Sequence, residues 1–426
     1  MSAAATRKRL LARVGPVFSS MLLTGSRVVS ALVVNKIIAT YLGPGGLALV
    51  GQFQNFTAMV FGLTSGNVSN AIISSVAGAE DDDSRRKAIS SAVACMAGAT
   101  AVVAIVIAVN ASGLSQSIFD IPDFAAVLWI LALLMVPLML NVVLLAVAAG
   151  LGRTRAFTVV NVLIALASMP VCWVMVESQG LRGAVLSAIV VNSAALCLSL
   201  GWMILRSPCP VRWLFAGVDP DAARRLLRLA LMTLSTIVGV PLAQFAVRRF
   251  VLDQSGVDIA GYWQAALKIG EILLMVSTLM VSLHFLPRFA AGRQGLKRIT
   301  FRAVAGSLGF LAIVGAAAVL AANVLLPILF SREFIGAKPL LPTQVAGDVL
   351  RSGAIVVQAA FLSRMAVRSY IAIDIVYVMC MVGAGYLLVP RLGAQGAAVS
   401  VLLASLAALV LALLLLKARR GAIWED

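Results

Sequence analysis

The sequence predicts an all-α integral membrane protein with about twelve transmembrane helices, in two parallel six-helix halves around a central cavity. Composition is the first observation behind this prediction. Of the 426 residues, 61% are hydrophobic and only 12% are charged, and the mean hydropathy is +1.02. This balance is typical of polytopic membrane proteins and argues against a soluble globular domain. The other two observations are the spacing of apolar runs and a repeat of short motifs.

Apolar runs of the length that crosses a bilayer, roughly 20 residues, follow one another with short loops between them. The first has a basic N-terminal flank and carries internal charge over about 25 residues, so we interpret it as an uncleaved span rather than a signal peptide. The second and ninth are longer and can include tilt or helix beyond the membrane. In chain order the runs cover residues 16–42, 45–78, 88–111, 124–150, 156–177, 183–205, 228–252, 259–287, 301–330, 337–363, 368–389 and 395–417.

The distribution of Lys and Arg predicts which side of the membrane each loop faces. If both termini lie in the cytoplasm, the loops on that side hold 24 basic residues and the outer loops hold four. Membrane proteins keep such an excess in cytoplasmic loops, so we expect both termini to be cytoplasmic. The same rule accounts for the net charge of +17, and no nucleic-acid partner is expected. The five cysteines lack metal-ligand spacing, and neither a metal nor a cofactor is expected.

Short motifs recur at nearly one offset and indicate a duplicated architecture. "GQFQ" at Gly51–Gln54 and "GYWQ" at Gly261–Gln264 lie 210 residues apart. "GLRGAVLS" from Gly180 matches "GAQGAAVS" from Gly393 at four of eight positions, with an offset of 213. An even number of spans in each copy gives both copies the same orientation, as in the parallel repeats of transporters.

The central loop supports a division between the two copies. The halves are predicted to cover residues 1–210 and 211–426. Near the start of the second half, Asp219 is a candidate N-cap and Pro220 suits the first helical position. We therefore expect a helix to begin at this point, before the seventh span.

Nine charged side chains lie inside the predicted spans. A charge near the bilayer centre costs at least about 2.5–3.5 kcal/mol, so these residues are candidate functional positions. Basic side chains outnumber acidic ones, and a cavity with that bias suits an anionic substrate group better than an organic cation. The basic residues are Arg27, Lys36, Arg248, Arg249, Lys268 and Arg351, and the acidic residues are Glu271, Asp348 and Asp374.

Helical spacing groups several of these residues. Gln264, Lys268 and Glu271 follow one another at i, i+4 and i+7, which places them on one face of the eighth span. Lys268 and Glu271 are three residues apart and can neutralise each other. Asp348 and Arg351 have the same spacing, so a structural pair is also an option there.

The remaining charges have no such neighbour. Asp374 has no basic residue within four positions, so it can pair with a basic residue across the cavity, or take up a proton or a cation. Arg27 has no acid in its own span and needs water, a partner helix or an anionic ligand. Lys36 lies about 180° around the helix from Arg27, near the outer end, where it can snorkel to the surface, as can Arg249. Arg248 is the repeat equivalent of Lys36 at an offset of 212.

Several stretches together carry a resemblance to a known family, over nearly the whole chain. They are Arg27 and Lys36 followed by "YLGPGGLAL" at 41–49, "GYWQ" at 261–264, "FLPRF" at 285–289, "LFSREF" at 329–334 and "QVAGDVLR" at 344–351. In these the chain resembles Wzx-type flippases for undecaprenyl-diphosphate-linked oligosaccharides, which share the MOP superfamily with MATE exporters and MurJ-type flippases. It looks most like the flippases of enterobacterial common antigen synthesis.

This resemblance implies a bacterial inner-membrane protein that moves a lipid-linked sugar repeat between leaflets by alternating access. It implies that basic residues, Arg27 and Lys36 among them, hold the diphosphate while the polyprenyl tail stays in lipid. Expected partners are the polyprenyl-diphosphate-linked glycan and membrane lipids, with a polysaccharide polymerase and chain-length proteins as further candidates. Candidate substrate contacts also include Arg248, Arg249, Lys268 and Gln264, and candidate coupling or gating residues are Glu271, Asp374, Asp348 and Arg351.

Two other function classes stay open. A cation-coupled multidrug exporter of the MATE type would depend on Asp374 or Glu271. An integral-membrane polymerase or glycosyltransferase would be expected to have a sizeable outer loop with catalytic acids or arginines. All predicted outer loops are short, which disfavours an enzyme.

Overall fold

The computed structural model describes residues 3–65, 68–78, 81–119, 124–152, 154–206, 217, 219–285, 288–289 and 295–419. Helices account for nearly all of them, and no strand occurs among them. The helices are α1 (Ala3–Thr64), α2 (Val68–Gly78), α3 (Asp82–Val109), α4 (Ala111–Phe119), α5 (Ala125–Gly150), α6 (Thr154–Arg206), α7 (Pro220–Ser255), α8 (Val257–Met280), α9 (Leu296–Leu320), α10 (Ala322–Leu329), α11 (Leu341–Ser363), α12 (Val367–Leu392) and α13 (Ala394–Ala418). A wider helical turn (Val281–Phe285) extends α8, and a tighter 3₁₀ segment (Arg332–Leu340) precedes α11.

Ten helical segments within the described ranges are long and apolar enough to cross a membrane. Two of them belong to the longest helices, α1 and α6, of 62 and 53 residues. At 1.5 Å per residue each would far exceed the roughly 30 Å of a bilayer core. Each is interrupted where a glycine adopts a positive φ, at Gly43 (φ 65°) and Gly180 (φ 55°), a conformation that glycine adopts without steric cost. Counting each kinked helix as two spans gives the predicted twelve and confirms an all-α, multi-pass membrane protein.

The chain folds into two compact units that each combine separate parts of the sequence. The first unit contains residues 1–37 and 60–234, and the second contains 38–59 and 235–426. The segment 38–59, which carries the first copy of the repeated motif, therefore packs with the C-terminal part of the chain. The division into halves at residue 210 describes a sequence repeat and stays a prediction.

The core of the first unit lies between α2, α3 and α5. Its centre includes the fully buried Ile89 and Val143. Gly150 lets α5 approach α2 closely, because a Cβ at this position would lie 2.8 Å from Val76. One polar contact is buried nearby, where the Ser199 hydroxyl donates to Asn141 Oδ1 at 2.5 Å.

Polar contacts occur at two helix starts of the first unit. Asp81 caps α3 by accepting a hydrogen bond from the Ser84 amide at 3.1 Å, and hydrogen bonds from Ser84 hold the pKa of Asp81 below its ordinary value. Helix α7 begins at Pro220, as predicted. The amide of the preceding Asp219 donates to Ser91 Oγ at 2.8 Å. Residues 207–216 of the central loop lie outside the described part of the chain.

Helix α11 is central to the second unit, since α8, α9, α12 and α13 all contact it. Small residues make this packing close. A Cβ at Gly347 would lie 3.0 Å from the backbone of Leu402 in α13, and one at Gly353 would lie 3.0 Å from Leu409. Small residues at helix crossings are the usual means of close approach in membranes, where water does not drive apolar surfaces together. Helix α11 also carries Asp348 and Arg351, so this packing positions the charged groups described next.

Candidate functional site

The two copies of the repeated motif lie against each other inside the second unit. A Cβ at Gly51 would lie 2.4 Å from the Gln264 side chain, and one at Gly261 would lie 2.0 Å from the carbonyl oxygen of Pro44. Both glycines therefore let the segment 38–59 touch α8. The repetition found in the sequence marks the crossing point of these two helices.

Arg248 of α7 is buried at this crossing. Its Nη1 donates to Gln52 Oε1 at 3.2 Å, its Nη2 donates to Gln264 Oε1, and its Cζ lies 5.6 Å from the Trp263 ring centroid. The side chain is 1% exposed and forms no ion pair with a carboxylate of the described residues. Two amide oxygens and an aromatic face thus take the place of a counter-ion. The substrate-binding role expected for Arg248 and Gln264 stays a prediction.

A cavity of about 530 Å³ lies within the second unit, between α7, α8, α11 and α12. This volume is in the range of small-molecule binding sites. Polar and charged side chains make up about half of its lining, namely Thr236, Gln244, Glu271, Thr278, Ser282, Gln344, Asp348, Arg351, Gln358, Tyr370 and Tyr377. Aliphatic residues such as Leu267 and Ile355 form the rest.

A buried ion pair joins α11 to α12 beside this cavity. Arg351 Nη2 lies 3.0 Å from Asp374 Oδ1, with side-chain exposures of 5% and 0%. Of the two options that the sequence left open for Asp374, the structure shows pairing with a basic residue of another helix. The possible pairing of Arg351 with Asp348, three residues away, is wrong. The guanidinium of Arg351 instead extends toward α12, with its Cζ 4.1 Å from the Tyr377 ring centroid.

The carboxylate of Asp374 is saturated with hydrogen-bond donors. Besides Arg351, Gln358 Nε2 donates to Oδ1 at 2.8 Å, and Ser235 donates to Oδ2 at 3.1 Å. Thr236 also donates to Oδ2 and contacts the Tyr370 hydroxyl at 3.1 Å. A fully buried carboxylate requires such compensation, because desolvation penalises the charge. These contacts tie α7, α11 and α12 together.

Asp348 has a different environment. Its Oδ2 accepts a hydrogen bond from Gln344 Nε2 at 3.1 Å, and Trp263 Nε1 donates to Gln344 Oε1 at 3.3 Å. The carboxylate lies directly against Gly270 of α8, where a Cβ would come within 1.9 Å of Oδ2. No basic side chain of the described residues forms an ion pair with Asp348. Glu271, the other carboxylate that lines the cavity, is paired with Lys268, so Asp348 differs from it in lacking a basic partner.

Two further ion pairs are closer to the surface, of which only the first was predicted. Lys268 Nζ lies 2.8 Å from Glu271 Oε2, with exposures of 15% and 42%, which confirms that these residues can neutralise each other. Arg249 Nε lies 3.1 Å from Asp253 Oδ1, one helical turn away on α7. Exposed pairs of this kind contribute little to stability.

Arg27 finds a partner helix in the first unit. Its Nη2 donates to Asn161 Oδ1 of α6 at 2.8 Å, and one turn further along α1 the hydroxyls of Ser30 and Ser168 lie 2.6 Å apart. Arg27 remains exposed, whereas Lys36 is half-buried. A neutral amide fixes the guanidinium of Arg27 without cancelling its charge.

The structure thus sorts the predicted residues into three sets. The first set lines the cavity and consists of Glu271, Asp348 and Arg351. Asp374 lies directly behind Arg351, and Lys268 is paired with Glu271.

Gln264 and Arg248 form the second set, at the motif crossing, and Trp263 and Gln344 link this crossing to the cavity. Arg27 and Lys36 form the third set, in the first unit. Arg249 joins none of these sets.

Sequence reasoning missed several partners of these charges. Gln52 could have been found, because it lies inside the repeated "GQFQ" motif and is fully buried. Tyr377 had a weaker signal, since it follows Asp374 by three residues on the same helical face. Asn161 and Ser168 gave no signal, because single polar residues are common in membrane helices.

Comparison with known proteins gives two kinds of similarity. No protein-family model matches the chain. The lipid III flippase of Escherichia coli (strain K12) is 26% identical over 377 residues, which cover 87% of this chain and 90% of that protein. The lipid III flippase of Shigella flexneri is 26% identical over the same lengths.

Among solved structures, an inward-facing MATE family transporter of the MOP superfamily has a TM-score of 0.79 at 16% identity, covering 91% of this chain and 93% of its own. An outward-facing MATE transporter of the same superfamily has a TM-score of 0.65 at 16% identity, covering 93% of each chain. A MOP superfamily transporter from Pyrococcus furiosus has a TM-score of 0.65 at 14% identity, also covering 93% of each chain. The chain therefore has the MATE transporter fold, and the predicted resemblance is confirmed.

Proposed function

We propose that the protein is a flippase that moves an undecaprenyl-diphosphate-linked oligosaccharide from the inner to the outer leaflet of a bacterial inner membrane. The observation that carries this proposal is the similarity to two lipid III flippases over 87% of the chain. The MATE transporter fold supports transport by alternating access. Both termini lie in the cytoplasm, in keeping with the Lys and Arg distribution. The flippase performs no covalent chemistry on the glycan.

Arg27 is the residue to which we assign the diphosphate. It is an exposed guanidinium in a membrane span, and Asn161 holds it by a neutral hydrogen bond. A guanidinium suits phosphate oxygens because it can donate two parallel hydrogen bonds. Lys36, in the same unit, is a second candidate for this role. Arg249 and Lys268 are weaker candidates because a carboxylate neutralises each of them, and Arg248 is weaker because it is almost fully buried.

Coupling to a cation gradient is assigned to the acids of the second unit. Glu271 is partly exposed and lines the cavity, as Asp348 does, whereas Asp374 is fully enclosed by donors. Glu271 and Asp348 are therefore better placed than Asp374 to exchange a proton. A polysaccharide polymerase and chain-length proteins would receive the translocated product.

A gene deletion and its complementation test the flippase proposal. The deletion strain is expected to accumulate a lipid-linked oligosaccharide on the cytoplasmic side and to lose the corresponding surface glycan. Complementation with Arg27→Ala should leave surface glycan at least about tenfold below the wild-type level, since a charged phosphate contact is lost. Arg27→Lys should restore part of it, because the charge remains and the bidentate geometry does not.

The matched control is Arg302→Ala, which removes an exposed arginine on α9 and should restore surface glycan fully. Normal surface glycan with Arg27→Ala would refute the role of this residue. The alternative function is a cation-coupled MATE-type exporter, which the fold also allows. Drug resistance on overexpression, together with an unchanged glycan in the deletion strain, would establish the exporter instead.

A further inference from the structure

The second-unit cavity holds free hydrogen-bond acceptors beside free donors such as Arg351 Nη1. Asp348 Oδ1 accepts no hydrogen bond from any described residue, since Gln344 binds the other oxygen. Gln358 uses its amide nitrogen to donate to Asp374, which leaves its carbonyl oxygen available. The Tyr377 hydroxyl can both donate and accept. The cavity therefore suits a ligand whose groups both donate and accept hydrogen bonds, with Asp348 and Gln358 as acceptors and Arg351 Nη1 as a donor.

The charges around this cavity disfavour an anion. The positive charge of Arg351 is neutralised by Asp374 at 3.0 Å, and that of Lys268 by Glu271 at 2.8 Å. Asp348 has no such partner in the described part of the chain and leaves one uncompensated carboxylate. A diphosphate in this cavity would find no unpaired cation among the described residues, and an ionised Asp348 would repel it. The positive bias counted over all spans therefore does not apply to the cavity.

Two other ligand classes fit less well. A polyprenyl chain carries no hydrogen-bonding groups, and placing it here would strip water from buried polar groups without replacing the lost hydrogen bonds. An organic cation would favour an aromatic face. The ring of Tyr377 already carries the guanidinium of Arg351, with its Cζ 4.1 Å from the centroid. A neutral polyol matches both the acceptors and the mixed apolar lining.

We infer that this cavity is a carbohydrate subsite, in which sugar hydroxyl or amide donors of the lipid-linked oligosaccharide bind Asp348 and Gln358. This inference rests on the proposed function and places the sugar contacts within the second unit. Carboxylate and amide oxygens accept hydrogen bonds from sugar hydroxyls, while aliphatic side chains such as Leu267 contact the apolar faces of a sugar ring. The volume of about 530 Å³ is that of a small-molecule site.

Gly270 gives this subsite a matched pair of variants. Asp348→Ala removes the carboxylate. Gly270→Ala keeps the carboxylate but forces it to move, because the new Cβ would lie 1.9 Å from Oδ2. Both variants should affect the same ligand contact by different routes. Asp83→Asn is the control, since it removes an exposed acid that pairs with Arg86 at the start of α3.

Trp263 provides a local signal for the same site. Its indole donates to Gln344, which in turn donates to Asp348. A ligand that binds Asp348 should shift this chain of hydrogen bonds and change the Trp263 emission. The emission change should disappear in Trp263→Phe, which removes the reporting indole. A purely structural role of Asp348 would give no ligand-dependent emission change.

The test uses two probes with the full-length protein in nanodiscs. The first is the free oligosaccharide, released by mild acid from the lipid that accumulates in the deletion strain. The second is undecaprenyl diphosphate without sugar. Asp348→Ala and Gly270→Ala should weaken binding of the oligosaccharide about tenfold or more, which corresponds to about 1.4 kcal/mol. Both variants should leave the affinity for undecaprenyl diphosphate within about twofold of wild type.

Oligosaccharide affinity within about twofold of wild type in both variants would overturn the inference. So would parallel loss of both probes in every variant, including the nearly isosteric Asp348→Asn, because the cavity would then not separate sugar from diphosphate. Binding of tetraphenylphosphonium that depends on Asp348, with unchanged oligosaccharide binding, would make the cavity a cation site. If the wild-type protein bound neither probe, the proposed function itself would fail.

Discussion

The ion pair between Arg351 and Asp374 gives the sharpest test of how this structure is held together. The pair is almost fully buried and joins α11 to α12, and Asp374 also accepts hydrogen bonds from α7. The perturbation is to replace each partner alone, with Arg351→Met and Asp374→Asn, and then both together. Each single change leaves one partner buried without its counterpart.

The structure sets the size of the expected effect. Removing one partner of a buried pair costs about 3–5 kcal/mol, because the remaining charge is uncompensated. The donors Ser235, Thr236 and Gln358 cannot replace Arg351, since hydrogen bonds in membrane proteins average about 0.6 kcal/mol each. The double variant removes both charges and should cost no more than either single variant. The coupling energy between the two positions should therefore be about 3 kcal/mol or more.

The assay is thermal unfolding of the purified protein in one detergent, followed by intrinsic fluorescence. For a unit of this size, about 1 kcal/mol corresponds to roughly 2–4 °C, so each single variant should melt roughly 10 °C below wild type. Glu271→Gln serves as the control, because its pair with Lys268 is 42% exposed on the acid side. Such a pair contributes about 1 kcal/mol or less, and this variant should melt within a few degrees of wild type.

Two results would refute this reasoning. Additive losses in the double variant would mean that Arg351 and Asp374 do not act as a pair. Equal losses for Asp374→Asn and Glu271→Gln would mean that burial does not set the cost. Either result would also remove the argument that Arg351 is neutralised beside the cavity.

Two further predictions concern the crossing of the repeated motifs. Gly261→Ala should prevent normal accumulation of the protein in the membrane, because the new Cβ would lie 2.0 Å from the Pro44 carbonyl oxygen. The control Gly306→Ala, with no atom within 4 Å of its new Cβ, should accumulate normally. Quantitative immunoblots of membranes would compare the two variants, and equal amounts would contradict the close contact. Arg248→Met should lower the melting temperature by several degrees even without ligand, because it leaves Gln264 without the buried donor that it binds. An unchanged melting temperature, with loss of transport alone, would instead favour direct substrate contact by Arg248.

Much of the architecture follows from local patterns in the sequence. The length of the apolar runs predicted the membrane-spanning helices, because backbone polar groups in lipid must form their hydrogen bonds within a helix. The breaks at Gly43 and Gly180 lie between predicted runs, and Pro220 begins α7 as its fixed φ favours. Lys268 and Glu271 pair because their spacing alone brings them together on one helix.

The sequence by itself therefore determined an all-helical, twelve-span membrane protein, the Lys268–Glu271 pair and the resemblance to flippases, since these depend on residues near one another in the chain. Tertiary structure alone decided that Arg351 binds Asp374 rather than Asp348, and that the segment 38–59 packs with the C-terminal part of the chain. It also decided that Gln52 and Gln264 enclose Arg248. These contacts join residues on different helices, and the direction of a long side chain depends on which helix face lies opposite it. Helical periodicity specifies a face, but only packing specifies its neighbour.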